Sequence, residues 1–296
     1  MSQKHLGKLT VREFFARFPD DDSCLNHIME VRFGMRHVCQ ACGKDSTFHR
    51  LTNRPRAFAC ANCGDNLYPT AGTIFQDSRT PLQIWFYAIY LFVTTRHGVS
   101  GKELERTLGV TYKTAWRMGQ QIRILMAKAD GFETLKGHVE MDEAYVGGYR
   151  PGKRGRGASG KSIVFGMQER GGRTMAEVIP DAKTKTLRET VLRNVKRGSV
   201  VTTDEFVSYG LLRSEGYRHG TVRHKDKDWS YWDPSFQVHR HTNTVESFWK
   251  LFKNSIHSTH IHVSAKYMDR YLKEFTFRAN HRGMQNAMFD LLIAAV

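Results

Sequence analysis

The sequence predicts an α/β fold with a mixed sheet in its C-terminal half, preceded by a cysteine-rich segment and a helical region. Two pairs of cysteines stand near the N-terminus, and an apolar run and two short helical patterns follow them. From residue 137 onward the pattern alternates between strands and helices. We therefore expect a helical lead-in over residues 1–36, a metal-binding ribbon over 37–68, a helical region over 69–136 and an α/β domain over 137–296.

The composition favours a nucleic-acid partner. The chain has 45 lysines and arginines against 29 acidic residues, a net charge of +16. Such an excess is typical of proteins that bind polyanions, although a ribosome-associated or merely adhesive basic protein is the alternative. The N-terminus lacks the apolar core of a signal peptide, and the most apolar run, residues 84–93, is about half as long as a membrane span. We expect a cytoplasmic protein without a membrane segment.

Four of the five cysteines form two C-x-x-C pairs. Cys39 and Cys42 are separated from Cys60 and Cys63 by residues 43–59. This spacing is typical of zinc ribbons, in which each pair forms a tight turn and two thiolates from each turn converge on one ion. Since four thiolates leave no open coordination position, we expect a structural Zn²⁺ rather than a catalytic one.

Two capped helical patterns around a glycine indicate a helix-turn-helix. Ser100 is placed to cap the first helix, Gly109 to make the turn, and Thr111 to cap the second helix. The second helix would present Lys113 and Arg117 to a DNA groove. The same pattern occurs in plain helical bundles, which is the alternative.

From Gly137 the pattern becomes α/β. The predicted elements are strands over Val139–Val146, Lys161–Gln168 and Arg173–Ile179, a helix over Thr186–Arg197, a strand over Ser199–Thr203, and helices over Ser208–Glu215, Thr242–Ile256 and Ala265–Asn280. This order is that of a ribonuclease-H-like domain with a mixed sheet. Glycines alternate with Lys153, Arg154 and Arg156 after the first strand, which predicts a phosphate-binding loop or an inert linker.

Two aspartates each end a β-patterned run. Asp142 ends the run that starts at residue 138, and Asp204 follows an apolar run. Carboxylates at strand ends can hold two divalent cations about 3.5–4 Å apart, an arrangement that attacks phosphodiesters. Strand alternation places Glu140 on the face of Asp142 and Glu143 on the opposite face. We prefer Asp142 to Glu140 because it is nearer the strand end. A solvated aspartate is the alternative for either residue alone, but the matching pair favours a catalytic role.

The predicted helix after these strands offers a third member of the site. Asn243, Glu246 and Lys250 share one helix face. Glu246 can ligate a metal through its carboxylate and Asn243 through its amide oxygen, while Lys250 can bind a substrate phosphate. The alternative is a capping asparagine and a Glu–Lys pair on a solvated helix face.

Over nearly its whole length the chain resembles the IS1595 / ISXO2-like insertion-sequence transposases. The resemblance is carried, in order, by the four-cysteine ribbon, Thr70-Ala-Gly-Thr-Ile-Phe75, Ser78-Arg-Thr-Pro-Leu82, Met141-Asp-Glu-Ala-Tyr-Val-Gly-Gly148, Thr203-Asp-Glu205, and the segments 241–253 and 271–282. The family implies a ribonuclease-H-like DDE nuclease that uses two Mg²⁺ or Mn²⁺ ions for 3′-OH formation and strand transfer, without a covalent protein–DNA intermediate.

By position, Asp142 and Asp204 look like the catalytic aspartates of that family. Asn243 and Lys250 look like the Asn–Lys pair of some subgroups, which departs from the usual glutamate and leaves Asn243 or Glu246 as the third ligand. The resemblance implies terminal inverted repeats and target DNA as partners, at least a dimer, and a bacterial, nucleoid-associated protein. The alternatives are a catalytically inactive zinc-ribbon and helix-turn-helix regulator, or a ribonuclease or Holliday-junction nuclease on the same fold.

Overall fold

The chain forms two compact units. A computed structural model describes residues 9–147, 161–226, 229–284 and 287–296. Unit 1 consists of Met1–Ala129 together with Met284–Val296, and unit 2 consists of Asp130–Gly283. Among the helices in these described ranges, none has both the length and the apolar character needed to cross a membrane.

Unit 1 begins with two helices and a small antiparallel sheet. Their bounds are α1 Val11–Arg17, α2 Asp21–Arg32, β1 Arg36–Val38, β2 Asp45–Arg50, β3 Phe58–Cys60 and β4 Asn66–Leu67. The strands pair in sequence order. A capping box starts α1, because the Thr10 hydroxyl accepts from the Glu13 N–H while the Glu13 carboxylate accepts from the Thr10 N–H.

Three more helices follow the small sheet. They are α3 Leu82–Thr94, α4 Gly101–Leu108 and α5 Tyr112–Asp130. The apolar run forms α3 and is largely buried, as the sequence predicts. Ser100 caps α4 by accepting a hydrogen bond from the Glu103 N–H, and Gly109 ends α4 in the left-handed conformation. Thr111 accepts from the Thr114 N–H at 3.4 Å and so caps α5.

Unit 2 is built around a mixed five-stranded sheet, which confirms the predicted α/β architecture. Its elements are β5 His138–Val146, β6 Ser162–Glu169, β7 Thr174–Ile179, α6 Thr184–Asn194, β8 Val200–Asp204, β9 Arg218–Val222, β10 Tyr231–Asp233, β11 Val238–Arg240, α7 Asn243–Ser255 and α8 Ala265–Asn280. The strand order is β7-β6-β5-β8-β9, in which β5, β8 and β9 are mutually parallel and β6 is antiparallel to both of its neighbours. The hairpin β10–β11 forms a separate two-stranded sheet.

Helices cover both faces of the sheet. On one face Val139, Met141 and other apolar strand residues pack against α6. On the other face Ala144 and Val146 pack against α7 and α8. Strand alternation therefore directs Glu140 and Asp142 toward the α7 face.

Three features differ from the sequence prediction. Asp142 lies in the middle of β5 rather than at its end, because Ala144 and Val146 continue the apolar alternation and pair with β6. The pairing of β5 with β8, in contrast, ends at Glu140. Strand β9 and the hairpin β10–β11 were not predicted.

The third difference concerns the end of the chain. The last helix, α9 Met288–Ala294, belongs to unit 1 and not to the α/β domain predicted to run to residue 296. Its Phe289 ring lies 5.5 Å from Phe18 and 5.8 Å from Phe86, and Asp290 pairs with Arg17 at 2.8 Å. This aromatic contact buries α9 with the N-terminal helices.

Candidate active site

The four predicted zinc ligands lie together in unit 1. Their thiol groups are all within 4.8 Å of one another: Cys39, Cys42, Cys60 and Cys63. In each turn a glycine at positive φ closes the loop, with the Gly43 N–H donating to the Cys39 carbonyl and the Gly64 N–H donating to the Cys60 carbonyl. A tetrahedral set of four sulfur ligands suits Zn²⁺, so the geometry supports a structural zinc site.

In unit 2 the register of two parallel strands places Asp142 beside Asp204. Glu140 of β5 pairs with Thr202 of β8. Each aspartate is two residues beyond that pair, and both are partly exposed. Paired residues of parallel strands point to the same face of the sheet, and so do the residues two positions further along each strand. The two carboxylates therefore share the face that α7 covers.

The electrostatics of Asp142 are strongly perturbed. Its pKa is raised to about 7, first because burial disfavours the charged form. The negative charges of Glu143, Asp204 and Glu246 raise this pKa further, and Lys253 of α7 lowers it. The carboxylates of two strands and one helix thus act on the same group. Lys253 was not identified from the sequence, although it lies three residues after Lys250 on the same helix.

Glu140 holds the start of α7 against the sheet. Its buried carboxylate accepts hydrogen bonds from the Thr244 N–H at 2.8 Å and from the Val245 N–H at 3.3 Å. The guanidinium of Arg170 donates to the same carboxylate at 2.8 Å and also binds the backbone carbonyls of His239 and His241. A carboxylate at a helix N-terminus satisfies free N–H groups and complements the helix dipole. Glu140 therefore fixes the first turn of α7.

That first turn carries the predicted third members of the site. Asn243, Glu246 and Lys250 are all exposed on α7. Glu246 accepts a hydrogen bond from the Thr242 hydroxyl at 2.7 Å and lies 3.6 Å from the ring of His224. Asn243 is the first residue of the helix and is not its cap, which is Thr242.

Glu143 serves the opposite face of β5. Its carboxylate accepts a 2.6 Å hydrogen bond from the hydroxyl of the buried Tyr209. Burial, followed by the charge of Glu143, raises the pKa of Tyr209 well above its ordinary value. Glu143 is therefore engaged away from Asp142 and Asp204, as strand alternation predicts.

The acidic residues of unit 2 are not drawn together to the distances of a bound ion. Within the described ranges, the cysteines are the only His, Cys, Asp or Glu side chains that bring three or more ligand atoms within 4.8 Å of each other. The candidate cation ligands in unit 2 are the carboxylates of Asp142 and Asp204. Their hard oxygen donors suit Mg²⁺ or Mn²⁺.

The predicted DNA contacts are only partly described. Lys113 and Arg117 are exposed on α5. Arg117 lies 3.4 Å from the Ser78 hydroxyl and stacks over the ring of Trp85 at 5.7 Å, so it also has partners inside unit 1. Lys153, Arg154 and Arg156 of the glycine-rich segment lie outside the described residues.

Known transposition proteins are similar to this chain. Crystal structures of a pre-cleavage Mos1 transpososome and of the Mos1 strand transfer complex match 71% of the chain and 78% and 77% of theirs, with TM-scores of 0.29 and 0.24 and identities of 10% and 11%. An uncharacterized protein in transposable element ISH50 of Halobacterium salinarum is 28% identical over 282 residues, which cover 88% of this chain and 91% of that protein. An uncharacterized transposase-like protein of Haemophilus influenzae is 26% identical over 104 residues, 35% of this chain and 78% of that protein.

Two family models match separate parts of the sequence. A transposase zinc-ribbon domain matches residues 19–66, a segment that contains all four clustered cysteines. An ISXO2-like transposase domain matches residues 134–280, which include the whole mixed sheet and α7. The order of the two domains is the order in which the ribbon and the sheet occur in the structure. The chain belongs to the ISXO2-like transposase family, which is also called IS1595.

Proposed function

We propose that this protein is a metal-dependent DNA transposase that cleaves 3′ ends at terminal inverted repeats and joins them to target DNA. The observation that carries the proposal is the position of Asp142 and Asp204. They lie on the same face of adjacent parallel strands, each two residues beyond the last paired residues, and both Asp204 and Glu246 of α7 act electrostatically on Asp142. The strand order β7-β6-β5-β8-β9 supports a ribonuclease-H-like assignment for the sheet.

The excess of negative charge supports a pair of divalent cations at this site. Burial and neighbouring carboxylates raise the pKa of Asp142 to about 7, so its charged form lacks compensation. Asp142 and Asp204 would hold the cations. When bound, two such ions activate the attacking oxygen and stabilise the leaving oxygen of a phosphodiester. The chain would contribute the two carboxylates from rigid strands, which limits their movement during the reaction.

The helix α7 would supply the remaining groups. Glu246 is supported as third ligand by its effect on the pKa of Asp142. Asn243 is neutral and therefore has no charge that could shift the pKa of Asp142, so it is tested alongside Glu246. The exposed Lys250 would bind a phosphate of the substrate strand. Glu140 would act as a positioning residue, because it fixes the turn that carries both candidate ligands.

Unit 1 would provide DNA binding. The caps of α4 and α5 and the left-handed Gly109 between them support a helix-turn-helix, with Lys113 exposed toward a groove. Arg117 would bind DNA only after its contacts with the Ser78 hydroxyl and the Trp85 ring are broken. Two ends must be joined to one target, so we propose at least a dimer in the assembled complex.

The experiment measures cleavage and strand transfer on labelled DNA carrying the ends of the element, with Mg²⁺ or Mn²⁺. The native protein is compared with Asp142→Ala, Asn243→Ala and Glu246→Ala. Glu189→Ala is the matched control, because Glu189 is exposed on α6 and α6 covers the opposite face of the sheet. We expect Asp142→Ala to abolish joining and Glu189→Ala to leave it unchanged.

The other outcomes separate the alternatives. Loss of activity in Asn243→Ala or in Glu246→Ala identifies the third ligand. If the native protein binds ends without cleaving them, it is a DNA-binding regulator and not an enzyme. If it cuts RNA or branched DNA as readily as transposon ends, it is a nuclease of another class.

A further inference from the structure

The hairpin β10–β11 is held firmly at the edge of the large sheet. Its register pairs Trp232 with His239. The fully buried guanidinium of Arg240 donates to the Asp233 carboxylate at 2.6 Å, to the Val201 carbonyl at 2.8 Å and to the Thr202 hydroxyl at 3.1 Å. Val201 and Thr202 belong to β8, the strand that ends at Asp204. The hydrogen bonds of Arg240 therefore fix the hairpin to the strand that carries a proposed catalytic aspartate.

Two large aromatic side chains are exposed here, one in β10 and one two residues before it. Trp229 and Trp232 are each 56% exposed, whereas Trp85 and Trp249 are buried in the cores of their units. An indole carries a large apolar surface that proteins normally bury. Two exposed indoles within four residues of each other indicate a surface that binds a partner.

The side chain of His224 connects the Trp229 ring with the start of α7, next to the proposed active site. The rings of His224 and Trp229 meet at a centroid distance of 5.0 Å and an interplanar angle of 78°. The Nε2 atom of His224 lies 3.2 Å from the Thr242 hydroxyl and 3.6 Å from the Glu246 carboxylate. A molecule that stacks on Trp229 would therefore lie beside the start of α7.

The charges around the rings suit a nucleic-acid strand. Arg223 and Lys225 precede Trp229, and their side chains are 70% and 85% exposed. Each has an acidic neighbour only at 3.9 Å, a distance at which exposed pairs contribute little. Flat aromatic faces beside exposed cations are the features that bind single strands, with bases stacked on the rings and phosphates on the cations. A base inside a duplex has both faces covered, so only an unpaired base can stack in this way.

We propose that Trp229 and Trp232 form a stacking platform for unpaired bases of the DNA strand next to the cleaved bond. The proposal rests on the proposed function. It adds that the substrate is DNA whose bases are unpaired at the site of reaction. The platform would hold the strand in register with Asp142 and Asp204. The rings contact the substrate and take no part in bond making.

The test measures binding of the full chain to two fluorescent DNAs without added divalent cation, so that no cleavage occurs. One is a duplex with a single-stranded thymidine tail containing one 2-aminopurine, and the other is the same duplex without the tail. We expect the native protein to quench the 2-aminopurine. Trp229→Ala and Trp232→Ala should each bind the tailed DNA at least about fivefold more weakly, with the quenching reduced. Binding to the blunt duplex should not change.

Controls separate stacking from general damage. Phe132→Ala removes a 66%-exposed aromatic side chain elsewhere in unit 2 and should bind both DNAs like the native protein. Trp229→Phe and Trp232→Phe keep a ring and should retain most of the affinity for the tail. A tail that is abasic at every position should bind the native protein and the alanine variants equally. Equal affinity of native and alanine variants for the intact tail overturns the platform, as does an equal loss on tailed and blunt DNA.

The two proposals fail in different ways. Asp142→Ala should bind the tailed DNA like the native protein, because the rings do not depend on the carboxylates. A native protein that quenches the tail but never cleaves ends refutes the transposase activity alone. A native protein that cleaves ends while the alanine variants bind tails normally refutes the platform alone.

Discussion

Asp142 combines burial with the charges of three other carboxylates. A carboxyl pKa raised from 3.8 to about 7 means that the native state holds the proton more tightly than the unfolded chain. The free energy of unfolding of unit 2 therefore falls as the pH rises from about 4 to about 7. We expect Asp142→Asn to remove this loss and to stabilise unit 2 at pH 8, without added cation, by on the order of 2 kcal/mol.

Urea denaturation at pH 5 and pH 8 measures this effect. The gain from Asp142→Asn should be large at pH 8 and small at pH 5, and Glu189→Gln should show no such difference. Added Mg²⁺ should stabilise the native protein and not the variant, because a ligand stabilises the state that binds it. If the variant gains no stability at pH 8 relative to pH 5, burial and the neighbouring carboxylates do not raise the pKa of Asp142 as the structure indicates.

Glu140 contacts neither proposed cation ligand directly, yet it binds the first turn of α7. Glu140→Gln keeps the shape of the side chain and removes the charge on which the hydrogen bonds from Arg170, Thr244 and Val245 converge. We expect a loss of stability of about 1–3 kcal/mol, because buried charge-assisted hydrogen bonds are weakened. We also expect weaker Mn²⁺ binding, because the turn carrying Asn243 and Glu246 is less well held.

The matched control for Glu140 is Glu177→Gln on β7. Glu177 also accepts from an arginine, Arg193, at 2.6 Å, but it is partly exposed and does not bind α7. Both variants are compared by their urea midpoints and by Mn²⁺ titration. A Glu140→Gln protein that is destabilised but binds Mn²⁺ with native affinity would reduce Glu140 to a purely structural role.

Among the secondary-structure elements, the short strands of the ribbon depend most on one another and on the metal. Strands β3 and β4 have three and two residues, too few for a stable sheet without further support. We expect Cys42→Ser to lower the bound zinc from about one ion per chain and to unfold the ribbon, because structural zinc contributes directly to folding.

Zinc content and thermal unfolding followed by circular dichroism check this expectation. Cys24→Ala is the control, because Cys24 is buried in α2 and is not part of the cysteine cluster. It should retain the zinc. If Cys42→Ser retained both zinc and native thermal stability, Cys42 would be excluded as a zinc ligand.

Across the chain, the last residues complete the first unit. Phe289 is buried against Phe18 and Phe86 of unit 1. We expect Phe289→Ala to destabilise unit 1 by about 3–5 kcal/mol, the usual result of removing a buried phenylalanine. Unit 2 should keep its own unfolding transition.

Differential scanning calorimetry can resolve the two transitions. Met284→Ala serves as the control, since Met284 is half exposed and lies in the same C-terminal segment. It should shift neither transition. If Phe289→Ala lowered the unfolding temperature of unit 2 as much as that of unit 1, the assignment of α9 to unit 1 would be contradicted.

Local sequence patterns predicted much of the fold because each pattern involves residues that are close together in the chain. The cysteine spacing predicted the ribbon, the caps at Ser100 and Thr111 predicted α4 and α5, and alternation predicted β5 with its two faces. Each of these signals depends on neighbours within a few residues. The roles assigned to Asp142, Asp204, Asn243, Glu246 and Lys250 remain predictions for the cleavage experiment.

Other features could not be read locally. The strands of the β10–β11 hairpin have three residues each, and their position depends on Arg240 reaching β8 about forty residues away in the chain. The partners of Glu140 lie about thirty and more than one hundred residues away. The packing of α9 joins the two ends of the chain.

The sequence determined the clustered cysteines, the order of β5, β6, β7, α6, β8, α7 and α8, and the presence of two aspartates in or after apolar runs, because periodicity, capping and ligand spacing are properties of adjacent residues. Tertiary structure decided which carboxylates share a face with α7, which one anchors that helix, and where the exposed tryptophans lie. These relations depend on strand register and on long-range hydrogen bonds, which form only when distant segments pack together.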